Sequence, residues 1–211
     1  MKKKEFLALG LMTGTSMDGI DLSLIKSDGL SEFTLIFNDY CEFDLKLQKD
    51  LIILRNKIFS SKDLEKYSGE INILERRITL FHSKIIKNFL EKNKIEVDLI
   101  GLHGQTIFHN SKQQISKQIG DGKLLSQITK KVVINNFRLQ DLKNGGQGAP
   151  LTPIFHKLII NLIKKKYEIS FPINIINIGG ISNITQILND KNTNTNLHAY
   201  DIGPGNCLID E

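Results

Sequence analysis

The stretch "LMTGTSMDGIDLSLI", residues 11–25, places a polar loop between two apolar segments. Residues 6–12 read as a buried strand, and residues 20–25 show the partial alternation of a second strand. A hairpin needs only a two-residue turn such as Asn-Gly or Asp-Gly to reverse the chain. Residues 13–19 contain more hydroxyl groups and carboxylates than reversal requires. The pattern therefore predicts an antiparallel hairpin whose loop has a further role.

Outward from this hairpin, the pattern predicts an α/β fold. A third strand is predicted at 32–43, and apolar residues spaced by three and four from Leu64 to Phe89 predict a long amphipathic helix, capped by Ser60 or Ser61. Three antiparallel strands followed by alternating helices and strands predict a mixed sheet covered by helices. The later elements are a buried strand at 97–104 ending in a polar turn, a helix at 123–130, a buried strand at 131–135, a glycine-rich loop at 144–150 and a helix at 151–165.

The pattern of the first hairpin returns near the end of the sequence. Residues 172–188 again read as strand, glycine turn and strand, and residues 197–206 add a third strand ending in a glycine turn. This weak internal repeat predicts a duplicated fold, with one domain at 1–150 and a connecting helix plus an incomplete second domain at 151–211. The new strands carry isoleucine on both faces and no helix follows them. We therefore expect a truncated second domain, in preference to cover by the first domain or by another chain.

Composition narrows the class of protein. The 211 residues are 40% hydrophobic and 24% charged, with a formal net charge of +5, which is ordinary for a globular protein. The lysines are dispersed and not interleaved with aromatic residues, which argues against nucleic-acid binding. No apolar run is long enough to cross a bilayer. Cys41 and Cys207 match no metal-binding spacing, and Glu5 interrupts what would be a signal peptide, so we expect free thiols and a cytoplasmic protein.

Two glycine-rich loops are candidates for binding phosphate. Residues 14–19 and 179–183 each combine glycines with hydroxyl or amide side chains, and backbone N–H groups in such loops form anion-binding concavities. Either loop alone is also explained as a tight hairpin turn. Because both loops open similar units, we favour phosphate binding, although neither is a Walker P-loop or a dinucleotide fingerprint.

Polar residues also follow the predicted strand at 97–104. His103, Gln105 and Thr106 lie just beyond its end, where α/β folds build ligand sites, although a histidine satisfied in a turn is an equally good interpretation. Asp121 is either part of a site or the cap of the helix at 123–130.

Arg138 and Asp141 follow the predicted strand at 131–135 and precede three closely spaced glycines. Asp141 has two interpretations: a turn former or capping residue, or a general base held at the floor of a cleft. The spacing does not decide between them.

The chain resembles the bacterial anhydro-N-acetylmuramic acid kinases in the order of its motifs, which are "MTGTSMDGID", "LHGQT", "IGDG", "FRLQDLKNGGQGAPLTPIFH", "NIGGISNIT" and "DIGPGN". Those enzymes belong to the sugar kinase/Hsp70/actin superfamily. The resemblance implies an α/β, actin-like ATPase (ribonuclease H-like) domain with a mixed sheet at 1–150, and the opening strands of a second similar domain at 151–211.

The resemblance also implies a reaction. Family members open the 1,6-anhydro bond of 1,6-anhydro-N-acetylmuramic acid with water and phosphorylate the freed O6 from ATP with Mg²⁺. The product, N-acetylmuramic acid 6-phosphate, serves peptidoglycan recycling and amino sugar catabolism. The alternative is a truncated, non-catalytic remnant or sugar-binding fragment of such a kinase. The implied partners are the sugar, ATP, and either a second copy of the chain or a polypeptide supplying a missing C-terminal part.

Positions within these motifs imply roles for individual residues. Asp141 matches the base that activates water, and Asp18, Asp21 and Asp201 are candidates for holding Mg²⁺. The implied sugar cleft contains His103, Gln105, Thr106, Asp121 and Arg138. The implied ATP-binding phosphate loops are Gly14, Thr15, Ser16, Met17, Asp18, Gly19, Ile20 and Asp21, and Gly179, Gly180 and Asn183.

Overall fold

The elements of the computed structural model, which describes residues 4–189 and 196–208, fall into two units, Met1–Gly148 and Ala149–Glu211. The first unit contains β1 Phe6–Met12, β2 Gly19–Ser27, β3 Phe33–Glu42, α1 Leu45–Arg55, α2 Ser61–Lys66, α3 Ser68–Asn93, β4 Leu99–Leu102, β5 Gln105–Asn110, β6 Ile115–Ile119, α4 Gly122–Thr129, β7 Val132–Asn135 and α5 Phe137–Lys143. The second contains α6 Pro153–Lys164, β8 Ile173–Ile178, β9 Ile181–Ile187, β10 Leu197–Pro204 and a 3₁₀ turn at Asn206–Leu208.

A five-stranded mixed sheet of order β3-β2-β1-β4-β7 organises the first unit. β1, β2 and β3 pair antiparallel, with Leu9 opposite Leu24 and Met12 opposite Asp21. β4 runs parallel to β1, and β7 runs parallel to β4. The predicted hairpin at 11–25 and the mixed α/β layout are therefore confirmed. The topology also brings the end of β1 and the end of β4 to the same edge of the sheet.

The core of the first unit lies between this sheet and the helices α1 and α3. Leu9, Ile20, Leu51, Ile78 and Ile86 are all 0% exposed and belong to one apolar cluster. The buried positions of α3 recur at intervals of three and four, as the amphipathic pattern predicts. Burying this stripe against the sheet is what stabilises so long a helix.

Four features of the first unit differ from what the sequence predicts. The predicted long helix is two helices, because Tyr67 leaves helical geometry between α2 and α3; Ser60 caps the first of them. α1 was not located by the periodicity. The strand at 131–135 is not buried: β7 is an edge strand with Val132 61% and Ile134 46% exposed.

The fourth difference concerns the polar turn expected after β4. Gln105 and Thr106 are the first residues of β5, which pairs with β6 as a separate antiparallel hairpin. The turn is limited to His103 and Gly104. Polar residues dominate both strands of this hairpin, so the alternation that identifies a strand is absent from the sequence.

In the described part of the second unit, α6 accompanies a three-stranded antiparallel sheet of order β10-β9-β8. Contrary to the expectation that no helix covers these strands, His156 of α6 lies 2.8 Å from the Thr185 hydroxyl of β9, measured from its Nδ1 atom. Ile176 and Ile178 of β8 remain exposed, at 57% and 70%.

The sequence also predicts that no segment crosses a membrane and that both cysteines are free thiols. No helix in the described part of the chain is long and apolar enough to cross a membrane. Cys41 is a free thiol whose pKa burial raises. The side chain of Cys207, also expected to be a free thiol, lies outside the described residues.

Candidate functional site

The loop between β1 and β2 is fixed from beneath by the turn that follows β4. The buried Thr13 hydroxyl donates to the carbonyl of Gly104 at 2.6 Å, and the Gln105 side-chain amide donates to the carbonyl of Gly14 at 3.0 Å. Met17, with φ of 56°, points its side chain into the core. Thr15 and Ser16 remain exposed. The loop thus presents glycine backbone and hydroxyl groups on a rigid base.

Negative charge is concentrated beside this loop. Asp18 accepts a hydrogen bond from the Ser16 hydroxyl at 2.6 Å and another from the Tyr40 hydroxyl. Partial burial, followed by the charge of Asp18, raises the pKa of Asp21. Burial and Asp18 together raise the pKa of Tyr40 to about 12. Two neighbouring carboxylates that repel each other are an arrangement that a bound cation would stabilise.

His103, directly after β4, connects the turn at Gly104 with Arg138 of α5. Its Nδ1 atom lies 2.6 Å from the Gly104 carbonyl, and its Nε2 atom accepts from Nε of Arg138 at 2.9 Å. Burial first, and then the charge of Arg138, lowers the pKa of His103 to about 4. The imidazole is therefore neutral at physiological pH.

Asp141 and Arg138 project from one face of α5, since residues three apart on a helix are neighbours. Asp141 does not lie in a turn and does not cap this helix, because α5 runs through it. Its Oδ2 atom accepts from the Gly148 N–H at 2.7 Å, while Nη1 of Arg138 donates to the Gly148 carbonyl at 3.0 Å. The bond from the Gly148 N–H is the only hydrogen bond of the Asp141 side chain among the described residues. Oδ1 accepts no hydrogen bond from the described residues.

Thr106 and Asp121 belong to a different part of the first unit. Asp121 caps α4 by accepting from the Leu124 N–H at 2.9 Å, so its capping interpretation is confirmed. The Thr106 hydroxyl accepts from the Gln118 amide at 3.2 Å. Gln118 and Asp121 both line a polar cavity of about 390 Å³.

Two charged residues of this cavity were missed by the sequence reasoning. Lys117 and Glu75, with Nζ and Oε1 2.9 Å apart, form an ion pair in its lining. The sequence carries no signal for the pair, because its members are on α3 and β6 and meet only in the folded chain.

Two glycine-rich segments of the second unit are hydrogen-bonded to each other. The N–H groups of Gly205 and Asn206 donate to the carbonyls of Gly180 and Gly179, at 2.9 and 2.8 Å. The "NIGGISN" and "DIGPGN" segments therefore lie against each other. Opposite Asp201 on the neighbouring strand is Asn183, whose Oδ1 atom is buried and has no hydrogen-bond partner in the described part of the chain.

The structure thus brings the predicted residues together in three groups. One group in the first unit links the loop at 14–18 and the first residues of β2, 19–21, with His103, Gln105, Arg138 and Asp141. Asp121 lines the polar cavity of that unit, and Thr106 accepts a hydrogen bond from Gln118, which lines the same cavity. Gly179, Gly180, Asn183 and Asp201 form a group within the second unit. Among residues 4–189 and 196–208 there is no cluster of three or more His, Cys, Asp or Glu side chains that could hold a metal ion.

The family model and the curated relatives that match this chain carry the same name. The family model described as anhydro-N-acetylmuramic acid kinase matches residues 6–211. A protein of that name from Pelagibacter ubique is 54% identical over 99% of this chain and 54% of its own length. Another from Brucella canis is 40% identical over 97% of this chain and 54% of its own length. The chain spans about half the length of the curated relatives it matches.

Among solved structures, a crystal structure of an exopolyphosphatase-like protein covers 95% of this chain and 52% of its own chain, with 10% identity and a TM-score of 0.41. A likeness at that level supports no assignment of function.

Proposed function

The chain belongs to the anhydro-N-acetylmuramic acid kinase family, and from that membership we propose that it acts in opening and phosphorylating 1,6-anhydro-N-acetylmuramic acid with ATP. The product is N-acetylmuramic acid 6-phosphate, an intermediate of peptidoglycan recycling and amino sugar catabolism. The observation that carries the proposal is the half-buried Asp141 carboxylate, held through one oxygen and linked through Arg138 and His103 to the glycine and hydroxyl loop.

In this proposal Asp141 is the general base. Oδ1 takes a proton from water, and the water oxygen forms a bond to the anomeric carbon. The bond from that carbon to O6 breaks, and O6 takes the γ-phosphoryl group as ADP leaves. Capture of the phosphoryl group stabilises the leaving oxygen, which is why a single carboxylate, without a dedicated acid, suffices.

The segment at 14–21, which is the loop at 14–18 and the start of β2, is proposed to supply the phosphate-binding part of the site. Backbone N–H groups near Gly14 and the hydroxyls of Thr15 and Ser16 are suited to phosphate oxygens. Gln105 is fully buried, so we propose that it acts by holding the Gly14 carbonyl and not by touching the sugar. Gly179, Gly180 and Asn183 are proposed as the second phosphate loop, because the backbone N–H groups of such a glycine turn are suited to phosphate oxygens.

Asp18 and Asp21 fit Mg²⁺, because this ion binds one or two protein carboxylates and completes its shell with water and phosphate oxygens. Asp21 and Asp18 lie close enough for the charge of Asp18 to add to the larger effect of burial in raising the pKa of Asp21, and a cation would relieve that repulsion. Asp201 is the corresponding carboxylate of the second unit. When bound, the ion neutralises the charge that develops on the transferring phosphoryl group.

The sugar side of the site is proposed to include His103, Thr106, Asp121 and Arg138, either by contact or by positioning. The polar cavity beside Asp121 and Gln118 offers hydrogen-bond partners for a hydroxylated ligand. The proposed reaction uses ATP, and we therefore infer a cytoplasmic location. A second copy of the chain, or a polypeptide matching the rest of the relatives' length, is the proposed macromolecular partner.

We also infer that the first unit is an actin-like, ribonuclease H-like ATPase domain. The antiparallel β3-β2-β1 meander continued by two parallel strands supports this inference. The second unit is inferred to be α6 and the opening strands of a second such domain, since β8, β9 and β10 repeat the order strand, glycine turn, strand.

Mass spectrometry tests the function. The chain is incubated with 1,6-anhydro-N-acetylmuramic acid, ATP and Mg²⁺, alone and co-expressed with a polypeptide matching the uncovered part of the Pelagibacter ubique relative. We expect a sugar 6-phosphate that carries one added water and is lost in Asp141→Asn. Glu96→Gln, the same chemical change at a 94% exposed side chain, is the matched control and keeps turnover.

Two results would contradict the proposal. Wild-type turnover by Asp141→Asn would remove Asp141 from its role. Sugar binding by calorimetry without any product, in both preparations, would favour the sugar-binding fragment.

A further inference from the structure

Two elements of the candidate site share one backbone carbonyl. Thr13, at the start of the loop between β1 and β2, donates its hydroxyl to the Gly104 carbonyl at 2.6 Å. Nδ1 of His103 lies at the same distance, 2.6 Å, from the same oxygen. A carbonyl oxygen can only accept, so Nδ1 of His103 must carry the proton. The loop and the histidine are thereby held at a fixed separation.

The other ring nitrogen is then an acceptor. Nε of Arg138 donates to Nε2 of His103 at 2.9 Å, and arginine has no acceptor atom with which to reverse this bond. Both partners of His103 therefore require the same neutral tautomer. The depressed pKa of this histidine agrees, because a protonated ring would set N–H against N–H and place two cations in contact.

Arg138 carries the connection to Asp141. Nη1 of Arg138 donates to the Gly148 carbonyl at 3.0 Å, and the Gly148 N–H donates to Oδ2 of Asp141 at 2.7 Å. A planar guanidinium can serve His103 and Gly148 together, whereas a lysine ammonium lacks this fork. The path runs without a gap from Thr13 through His103 and Arg138 to Asp141.

We propose that His103 and Arg138 are positioning residues that tie the phosphate-binding loop to Asp141, so that the group activating water and the group holding phosphate move as one body. This inference rests on the proposed function. Neither side chain needs to touch the sugar. Their removal displaces Asp141 relative to the phosphate, and a misplacement of about 1 Å costs on the order of 100-fold in rate.

Two substitutions of His103 break the path at opposite ends. Asn at this position keeps a donor near Nδ1 for the Gly104 carbonyl but loses the acceptor for Arg138. Gln keeps an acceptor near Nε2 but loses the donor to Gly104. We expect His103→Asn, His103→Gln and Arg138→Lys each to lower kcat by roughly 10- to 100-fold while KM for the sugar changes by less than about twofold. His198→Asn, at an exposed position of β10, is the matched control and keeps kcat.

The double variant His103→Asn with Arg138→Lys gives a second kinetic readout. Residues in one path are not additive, so we expect it to lose about as much kcat as the worse single variant. A rise in sugar KM with unchanged kcat would overturn the proposal and make these residues sugar ligands. Fully additive losses, or unchanged kcat in the single variants, would also overturn it.

A measurement without turnover separates this inference from the proposed function. In ¹⁵N NMR spectra of the full chain we expect His103 to keep its Nδ1–H tautomer and to stay neutral down to about pH 4. Arg138→Met should raise the pKa of His103 and shift the amide signals of both Gly148 and the loop at 14–18. A shift at Gly148 alone would overturn the coupling, even if the wild-type chain makes product. If the wild-type chain makes no product, these shifts still decide whether the loop and Asp141 are coupled.

Discussion

At the scale of single residues, Gly148 is restricted both in its backbone conformation and in the space around it. Its N–H and its carbonyl are both bound by α5, through Asp141 and Arg138. Its φ of +73° lies in the left-handed region, and a Cβ atom would stand 2.9 Å from Cε1 of His109 and 3.0 Å from Cγ of Leu142. The position requires glycine both for its backbone conformation and for the space around it.

We expect Gly148→Ala to lower the free energy of unfolding by about 2–4 kcal/mol, through left-handed backbone strain and overpacking combined. Gly145→Ala is the control, because Gly145 has φ of +86° but no atom within 4 Å of the position that an added Cβ would occupy. It should lose only about 1–2 kcal/mol, from backbone strain alone. Urea denaturation measures both. Equal losses would show that the space around Gly148 is not restrictive.

Asp141 illustrates what residue spacing can and cannot predict. The i, i+3 spacing of Arg138 and Asp141 is visible in the sequence and places both on one helix face. The partner they share, Gly148, lies beyond a loop whose path no local pattern describes. The choice between a turn-forming and a chemical role therefore depended on where that loop folds back.

At the scale of elements, α4 depends on its first residue. The Asp121 carboxylate caps the helix, and the Asp121 N–H donates to the buried Thr79 hydroxyl of α3 at 2.9 Å. α4 is only eight residues long, so a lost cap affects a large part of it.

We expect Asp121→Ala to lower the free energy of unfolding by about 1 kcal/mol, while Asp121→Asn stays within a few tenths because asparagine is also a good cap. Urea denaturation provides the comparison. Asp121→Asn then isolates the charge: a change in sugar KM without a change in stability would assign Asp121 to the site as well as to the cap. A loss as large in Asn as in Ala would contradict the capping explanation.

Strongly periodic elements were predictable and polar ones were not. The hairpin at 11–25 and the stripe of α3 follow from apolar spacing within a few residues. The β5–β6 hairpin has polar residues on both strands, and its buried Gln105 looks like a loop residue in the sequence. The exposure of β7 follows from its place at the sheet edge, which is a property of strand order and not of the residues in it.

At the scale of the whole molecule, His82 links stability to pH. It is 0% exposed on α3, with Nδ1 2.7 Å from the Ile78 carbonyl, and its Nε2 atom is buried without a partner in the described part of the chain. Burial lowers the pKa of His82 to about 4, against an ordinary value of 6.5. The unfolded chain therefore binds a proton at a higher pH than the folded chain does.

The direction of the pH dependence follows from this difference between the folded and unfolded pKa of His82. The contribution of neutral His82 is fully present above pH 6.5 and is lost as pH falls through the interval to about 4. The full loss is on the order of 3 kcal/mol. We expect His82→Asn, which keeps a donor for the Ile78 carbonyl, to reduce the slope of unfolding free energy against pH across this interval and to leave the part that His103 contributes. NMR-monitored urea unfolding of α3 amides measures the slope, and an unchanged slope would contradict the assignment.

The linear pattern of residues was enough to predict the mixed α/β class, the hairpin loops and the family resemblance, because each depends on spacing over a few residues. Which polar groups meet depended on the folded chain. Thr13 and Gly104 are 91 positions apart, and His103 and Arg138 are 35 apart. They meet because β4 aligns beside β1 and α5 returns over the end of β4. Hydrogen bonds between distant segments, and the tautomer and pKa of His103 that follow from them, arise from this strand order, which local periodicity does not encode.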